Sequence, residues 1–333
     1  MPYGHSITRR SFIRGTAAGL VTIPAPGIWA WESTGRRRPA PSRVAIVRTR
    51  DRREGVARAL KLFGPPAVDG RHAVVKPNFN TADPTPGSTH NDTLSQLMME
   101  LQERGARSIT LGESSGPPNT RSVMEQKGIF DLAHDLRFGV VNFDEMPESD
   151  WVAIPAAGTH WPDGFHVPRL VAAADYLVTT CTLKTHAFGG VFTMALKLSV
   201  GLTPKPIRRS MHRSPDMRRM IADLNTAIRP KFILLDGVDA FTDGGPSTGQ
   251  LARGDIMIAG DDPVAVDAVG LAVLKEIGSN AAIMDRRIFE QEQIARAAEI
   301  GLGADSPDRI QLITADPESR AYATRLERIL ALG

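Results

Sequence analysis

The sequence predicts an α/β fold: a mainly parallel or mixed sheet covered by helices, with long irregular loops at the strand ends. Three observations carry that reading. Short apolar runs alternate with stretches of helical spacing. Pro and Gly clusters punctuate the boundaries, as at Gly64–Pro65–Pro66 and Pro77. The strand–helix–strand rhythm of residues 44–111 favours parallel pairing through right-handed crossovers.

Taken in order, Val44–Val47 reads as the first strand. Arg53–Phe63 follows with Val56, Ala59, Leu60 and Phe63 at helical spacing, and Gly64 stops it. Ala73–Lys76 is a second strand, Thr93–Arg104 a helix with Gly105 as its C-cap, and Ser108–Leu111 a third strand. Val140–Phe143 and Val152–Ile154 are short strands, and residues 155–168 form a long excursion rich in Pro, Gly and His. Tyr176–Thr180 reads as a buried strand, Val191–Val200 as the start of a helix, and Pro204–Pro215 as a basic loop. Met217–Ile228 is helical, Phe232–Leu235 is a buried strand, and residues 236–246 read as glycine-rich turns. Ile256–Ala259 leads into a helix over Pro263–Lys275, which an aspartate of Asp261–Asp262 caps with Pro263 in the first turn. Residues 290–300 and 317–331 are helical, with a strand near Ile310–Ile313.

The N-terminus carries an address rather than a fold element. Ser6–Ile7–Thr8–Arg9–Arg10–Ser11–Phe12–Ile13, followed by the apolar segment Gly15–Val21, has the form of a twin-arginine export signal. The expected organisation is a signal over residues 1–30, a linker over 31–43, and one α/β domain over 44–333, in one lobe or two intimate ones. The expected partner is the twin-arginine translocase, and the expected location is periplasmic or otherwise extracytoplasmic, membrane-tethered if the signal is uncleaved. That route carries folded proteins and so raises the expectation of a preloaded organic cofactor or a divalent metal.

The formal net charge is +3. The three arginines of residues 1–30, which have no acid among them, account for all of it. A near-neutral body gives no electrostatic case for nucleic-acid binding. Cys181 is the single cysteine. It excludes a disulfide within the chain and a self-contained cysteine-ligated iron–sulfur cluster, and nothing around it signals an activated thiol.

Polar clusters fall where strands should end, the edge at which open α/β sheets bind ligands. Lys76–Pro77–Asn78 offers a cation for an anion and an amide to orient it. Glu113–Ser114–Ser115–Gly116 offers a loop for an oxyanion, with Glu113 as a base or metal ligand. Lys184–Thr185–His186, with Lys197 following, places a lysine and a proton-transferring or metal-ligating imidazole at the end of a buried strand. The basic stretch ending in His212 is placed to close over a negatively charged substrate. Asp236, and Asp243 in the glycine-rich run, are carboxylates for proton handling or a metal. Each cluster has a plainer reading as turn capping, packing or a solvated loop.

The order of several stretches resembles the DUF362 family, whose function is unsettled. They are Val74–Val75–Lys76–Pro77–Asn78, Ala174–Asp175–Tyr176–Leu177 through Leu183–Lys184–Thr185–His186, and Met194–Ala195–Leu196–Lys197. Leu235–Asp236–Gly237 with Gly244–Gly245–Pro246, Ala259–Gly260–Asp261–Asp262–Pro263–Val264–Ala265–Val266–Asp267, and Ala298–Glu299–Ile300–Gly301–Leu302–Gly303 complete the match, over about residues 43–315. Relatives commonly have an asparagine where this chain has Leu198, and many carry a ferredoxin-like cysteine-rich part that it lacks. The resemblance therefore implies a redox partner only weakly.

The expected function is an enzyme acting on a small anionic molecule, by redox, isomerisation or hydrolysis. His186, Lys184 and Asp236 are its catalytic candidates. Lys76, Asn78, Ser114, Lys197 and His212 are the substrate-binding candidates, and Glu113, His186, Asp236 and Asp243 the metal candidates. The alternative is a noncatalytic carrier for an anion or metallocofactor.

Overall fold

The computed structural model describes residues 40–333. The expected export signal and most of the expected linker lie outside the described residues. The strands are β1 (Ser42–Arg48), β2 (His72–Lys76), β3 (Ser108–Glu113), β4 (Gly139–Asn142), β5 (Trp151–Ile154), β6 (Phe165–Pro168), β7 (Tyr176–His186), β8 (Val191–Thr193), β9 (Pro230–Gly244), β10 (Gly249–Gly260) and β11 (Ile310–Ile313). Nine of these form one sheet in the order β11-β1-β10-β9-β7-β2-β3-β4, with β8 paired to the end of β7; β5 and β6 pair separately. The side β9-β7-β2-β3-β4 is parallel, whereas β1-β10 and β10-β9 are antiparallel. The sheet is mixed, as the α/β reading allows.

Helices cover both faces, and the alternation of side chains along each strand builds two cores. Val44 and Ile46 of β1 enter one core and Ala45 and Val47 the other; Ile233 and Leu235 of β9 likewise oppose Phe232 and Leu234. The first core packs under helices Pro263–Ile277 and Pro317–Leu332, the second under Arg52–Phe63 and Asn91–Glu103. Local chemistry sets the boundaries. Asp51 caps the amide of Glu54, Gly64 ends the same helix at φ 63°, and Asp262 accepts from the amides of Val264 and Ala265 beside Pro263. Among the described residues no helix is long and apolar enough to cross a membrane.

The middle of the chain departs from the sequence reading at four places, each for a tertiary reason. The strand expected over Tyr176–Thr180 continues to His186, because β9 and β8 pair with its far end. The helix expected from Val191 begins only at Ala195, since residues 191–193 are spent on β8 and the buried carboxylate of Asp267 receives the amides of Ala195 and Leu196. The basic stretch is not a loop but a helix, Lys205–Arg213, with Pro206 in its first turn, where a missing N–H costs nothing. The glycine-rich run is not a set of turns: β9 extends through it to Gly244, and the chain reverses only before Gly249. Gly237 is required there because a Cβ would lie 2.8 Å from Cγ2 of Ile256.

Candidate functional site

The ends of β2, β3 and β7 gather the polar residues, as the edge rule predicts. Lys76 closes β2 and Glu113 closes β3; their side chains are buried and form an ion pair. Lys76 also donates to the carbonyl of Pro77 at 2.6 Å, and Glu113 accepts from the amides of Phe79 and Ser114, both at 2.8 Å. Burial pulls the Lys76 ammonium below its ordinary value, and Glu113 opposes that pull. Glu113 is thus consumed in fixing the loop after β2.

Ser114 bridges Asp144 and Arg208 through its hydroxyl. Arg208 is buried and donates to the carbonyls of Thr203, Ser114 and Ser115, at 2.6, 3.2 and 2.7 Å. It faces no carboxylate directly, and burial lowers it to about 10. These bonds dock helix Lys205–Arg213 over the end of β3 and set His212 near His186.

Lys184 is fully buried on β7 and donates to Oδ1 of Asn78 at 2.8 Å and to the carbonyl of Gly87 at 2.6 Å. No acid among the described residues forms an ion pair with it; burial first and the charge of Lys197 second bring it to about 7, against a smaller opposing pull from Asp83. Lys197 lies on helix Ala195–Leu198, whose amides Asp267 holds. The residue is 7 % exposed, and no group among the described residues pairs with its Nζ. Burial and Arg208 lower it to about 8. Asp267 is itself pushed up to about 8 by burial.

His186 ends β7. Its Nδ1 accepts from the amide of Gly190 at 3.2 Å, so the proton of the neutral ring sits on Nε2. Burial first, then the charges of Lys197, His212 and Lys184, lower it to about 2. His212 lies at the exposed rim with its ring centroid 6.4 Å from that of His186. Its Nδ1 lies 2.8 Å from the carbonyl of Arg208, which only accepts; Nδ1 therefore carries the proton and Nε2 the lone pair. Partial burial is the first cause of its lowered pKa. One ring offers a donor at Nε2 and the other an acceptor. Phe188, 70 % exposed, sets its ring edge-on to His186 at 6.0 Å.

Lys184, Asn78, His186, Lys197 and His212 thus form one neighbourhood, with Lys76, Glu113 and Ser114 beside it as its frame. Asp236 and Asp243 do not join it. Asp236 accepts from Arg52 at 2.9 Å, Thr93 at 2.6 Å and the amide of Val238 at 3.1 Å, so it staples two helices to β9 and cannot orient His186. Asp243 lies on the β9–β10 hairpin and accepts from Asn280 at 2.9 Å. The four expected metal ligands are therefore dispersed. Among the described residues no group of three or more His, Cys, Asp or Glu side chains is placed to hold a metal ion, and the expected site does not fit one. Cys181 is buried, and burial pushes its thiol well up. A cleft of about 350 Å³ opens beside the pair Asp144–Lys205; Lys184, His186 and Lys197 do not line it.

Sequence reasoning took Arg208 only as one charge of the basic stretch, and it missed the roles of Asp267, Gly190 and Gln293. Gln293 donates to the carbonyl of Gly190 at 2.6 Å and so supports the residue that polarises His186. The pair Gly189–Gly190 after His186 was a signal: a Cβ on Gly190 would stand 2.7 Å from Cε of Lys197 and 2.8 Å from Nδ1 of His186.

An α/β protein with a lysine–imidazole site at its parallel strand ends is the class that fold and geometry define. Residues 73–272 match the model of DUF362, a domain of unknown function, and the chain belongs to that family. Among curated proteins, the thylakoid-associated protein sll1697 of Synechocystis sp. is 26% identical over 219 residues, which are 62% of this chain. The match spans 64% of that protein's length, just under two thirds. Among solved structures, the lactate racemase apoprotein from Thermoanaerobacterium thermosaccharolyticum aligns with a TM-score of 0.46 and 16% identity, over 67% of this chain and 54% of that one. A Thermotoga maritima protein aligns at 0.41 and 13%, over 68% and 57%.

Proposed function

We propose that the protein is an enzyme acting on a small anionic molecule held against Lys184 and Lys197. The observation that carries this reading is Lys197, a lysine 7 % exposed whose Nζ has no partner among the described residues and reaches the surface only at its tip. A largely desolvated cation with no acceptor is costly, and an anionic ligand reaching its open tip lowers that cost. His186, neutral at any physiological pH, donates from Nε2 to an oxygen on which charge develops. A ring held at about 2 is a poor base, so the proton acceptor in this reading is His212 rather than His186.

The experiment is calorimetric titration with acetate and with inorganic phosphate. Wild type is expected to bind one of them, and Lys197→Met to lose the binding. Equal binding by both proteins would defeat the reading. Incubating the protein with small carboxylates in D₂O separates enzyme from carrier: loss of a carbon-bound proton signal that depends on His212 marks catalysis, and binding without exchange marks a carrier.

Export through the twin-arginine route is part of the same proposal and rests on Arg9 and Arg10. Replacing both by lysine is expected to leave the protein in the cytoplasmic fraction.

A further inference from the structure

We propose that Lys197 is a nucleophile that forms an imine with the carbonyl carbon of an oxo acid. This deepens the anion-binding reading above and rests on it.

The three buried lysines are not equivalent. Lys76 is committed to Glu113 and Pro77, and Lys184 to Asn78 and Gly87. Lys197 alone of the three keeps its nitrogen uncommitted among the described residues, on a residue more than nine-tenths buried. An ion-pairing lysine needs an acid beside it; an amine nucleophile needs a largely desolvated stem, a nearby like charge, no acid, and a nitrogen that a substrate can reach, and the Lys197 nitrogen is not sealed in. Arg208 supplies the like charge, and the amine form is accordingly populated near neutral pH. Gly190 brings the chemistry together: its missing side chain lets Cε of Lys197 and Nδ1 of His186 crowd the same Cα. In its ammonium form Lys184 keeps a third N–H beyond its two bonds, and a carboxylate on the substrate both favours that form and accepts from it.

The step balances without an oxidant or reductant. The neutral nitrogen of Lys197 attacks the carbonyl carbon, an N–C bond forms, and the carbonyl π pair moves to oxygen, stabilised by Nε2–H of His186. Nitrogen gives a proton to Nε2 of His212, which passes it to the oxygen and makes the hydroxyl. The second N–H proton follows by the same relay; the C–O bond breaks as the hydroxyl leaves as water, and the nitrogen pair forms C=N. One amine and one carbonyl yield one imine and one water. The imine draws electrons from the adjacent carbon and acidifies its C–H, which gives His212 a proton to remove.

The test is reductive trapping on the full chain. Protein is incubated with pyruvate and cyanoborohydride at neutral pH, and the adduct is located by peptide mapping. The expected result is one adduct per chain at Lys197, its loss in Lys197→Arg with an unchanged melting temperature, and its retention in Lys61→Arg, a change at an exposed helix position. If the arginine variant does not fold, protection of wild-type Lys197 by excess acetate is the second measurement. Adducts spread over exposed lysines, or an unmodified Lys197 in a protein that binds pyruvate, overturn the imine while leaving anion binding intact. Trapping at Lys197 that acetate does not slow keeps the imine and defeats the anion reading instead.

Discussion

The amide of Gly190 donates to Nδ1 of His186 at 3.2 Å, and that single bond decides which ring nitrogen carries the proton. It makes a residue read from sequence as a proton carrier into a fixed donor. The decision is backed from outside the loop by Gln293, which holds the carbonyl of the same glycine.

The first prediction concerns that ring. Because His186 is held at about 2 by burial and by neighbouring cations, nitrogen NMR is expected to show a bare Nδ1 and a protonated Nε2 with no change between pH 5 and 8. A ring that titrates in this window contradicts the assignment.

Gly190→Ala tests the crowding. The added methyl cannot fit between Cε of Lys197 and Nδ1 of His186 without displacing one of them. The cost should be roughly 1–3 kcal/mol by denaturant unfolding, with anion binding lost as well. A variant of wild-type stability and affinity would show that the two side chains give way freely.

Lys197→Met should make the unliganded protein more stable by roughly 1–3 kcal/mol while abolishing anion binding, since it removes an uncompensated, largely desolvated charge. The sign with pH follows from the folded value of about 8 against an ordinary 10.5. Between those values the unfolded chain holds a proton that the folded one has shed, so wild-type stability rises with pH through this window. The advantage of the methionine variant over wild type should therefore be constant below about 8 and shrink towards 10.5. An advantage that grows with pH refutes the account.

Asp236→Asn separates structure from chemistry. Arg52 and Thr93 hold this carboxylate, so its neutralisation should destabilise the fold by about 3 kcal/mol. Anion affinity, measured below the onset of unfolding, should stay at the wild-type level. A selective loss of affinity in a stable protein would return Asp236 to the site.

Much of the architecture was legible in the sequence because strands and helices are local statements. The spacing of Val56, Ala59, Leu60 and Phe63 names a helix, and Asp262–Pro263 names the start of another, whatever surrounds them. The boundaries failed where a distant partner overrode the local signal, as when Asp267 delayed a helix to Ala195.

The sequence by itself determined the family, the α/β alternation, and that Lys76, Lys184, His186 and Lys197 stand at strand ends and just beyond. Only the tertiary structure decided which polar groups satisfy one another. Lys76 found Glu113, Asp236 found Arg52 at a separation of 184 residues, and Lys197 found no partner among the described residues. Periodicity depends on neighbours in the chain, whereas the charge state and tautomer of a buried group depend on what lies against it in space.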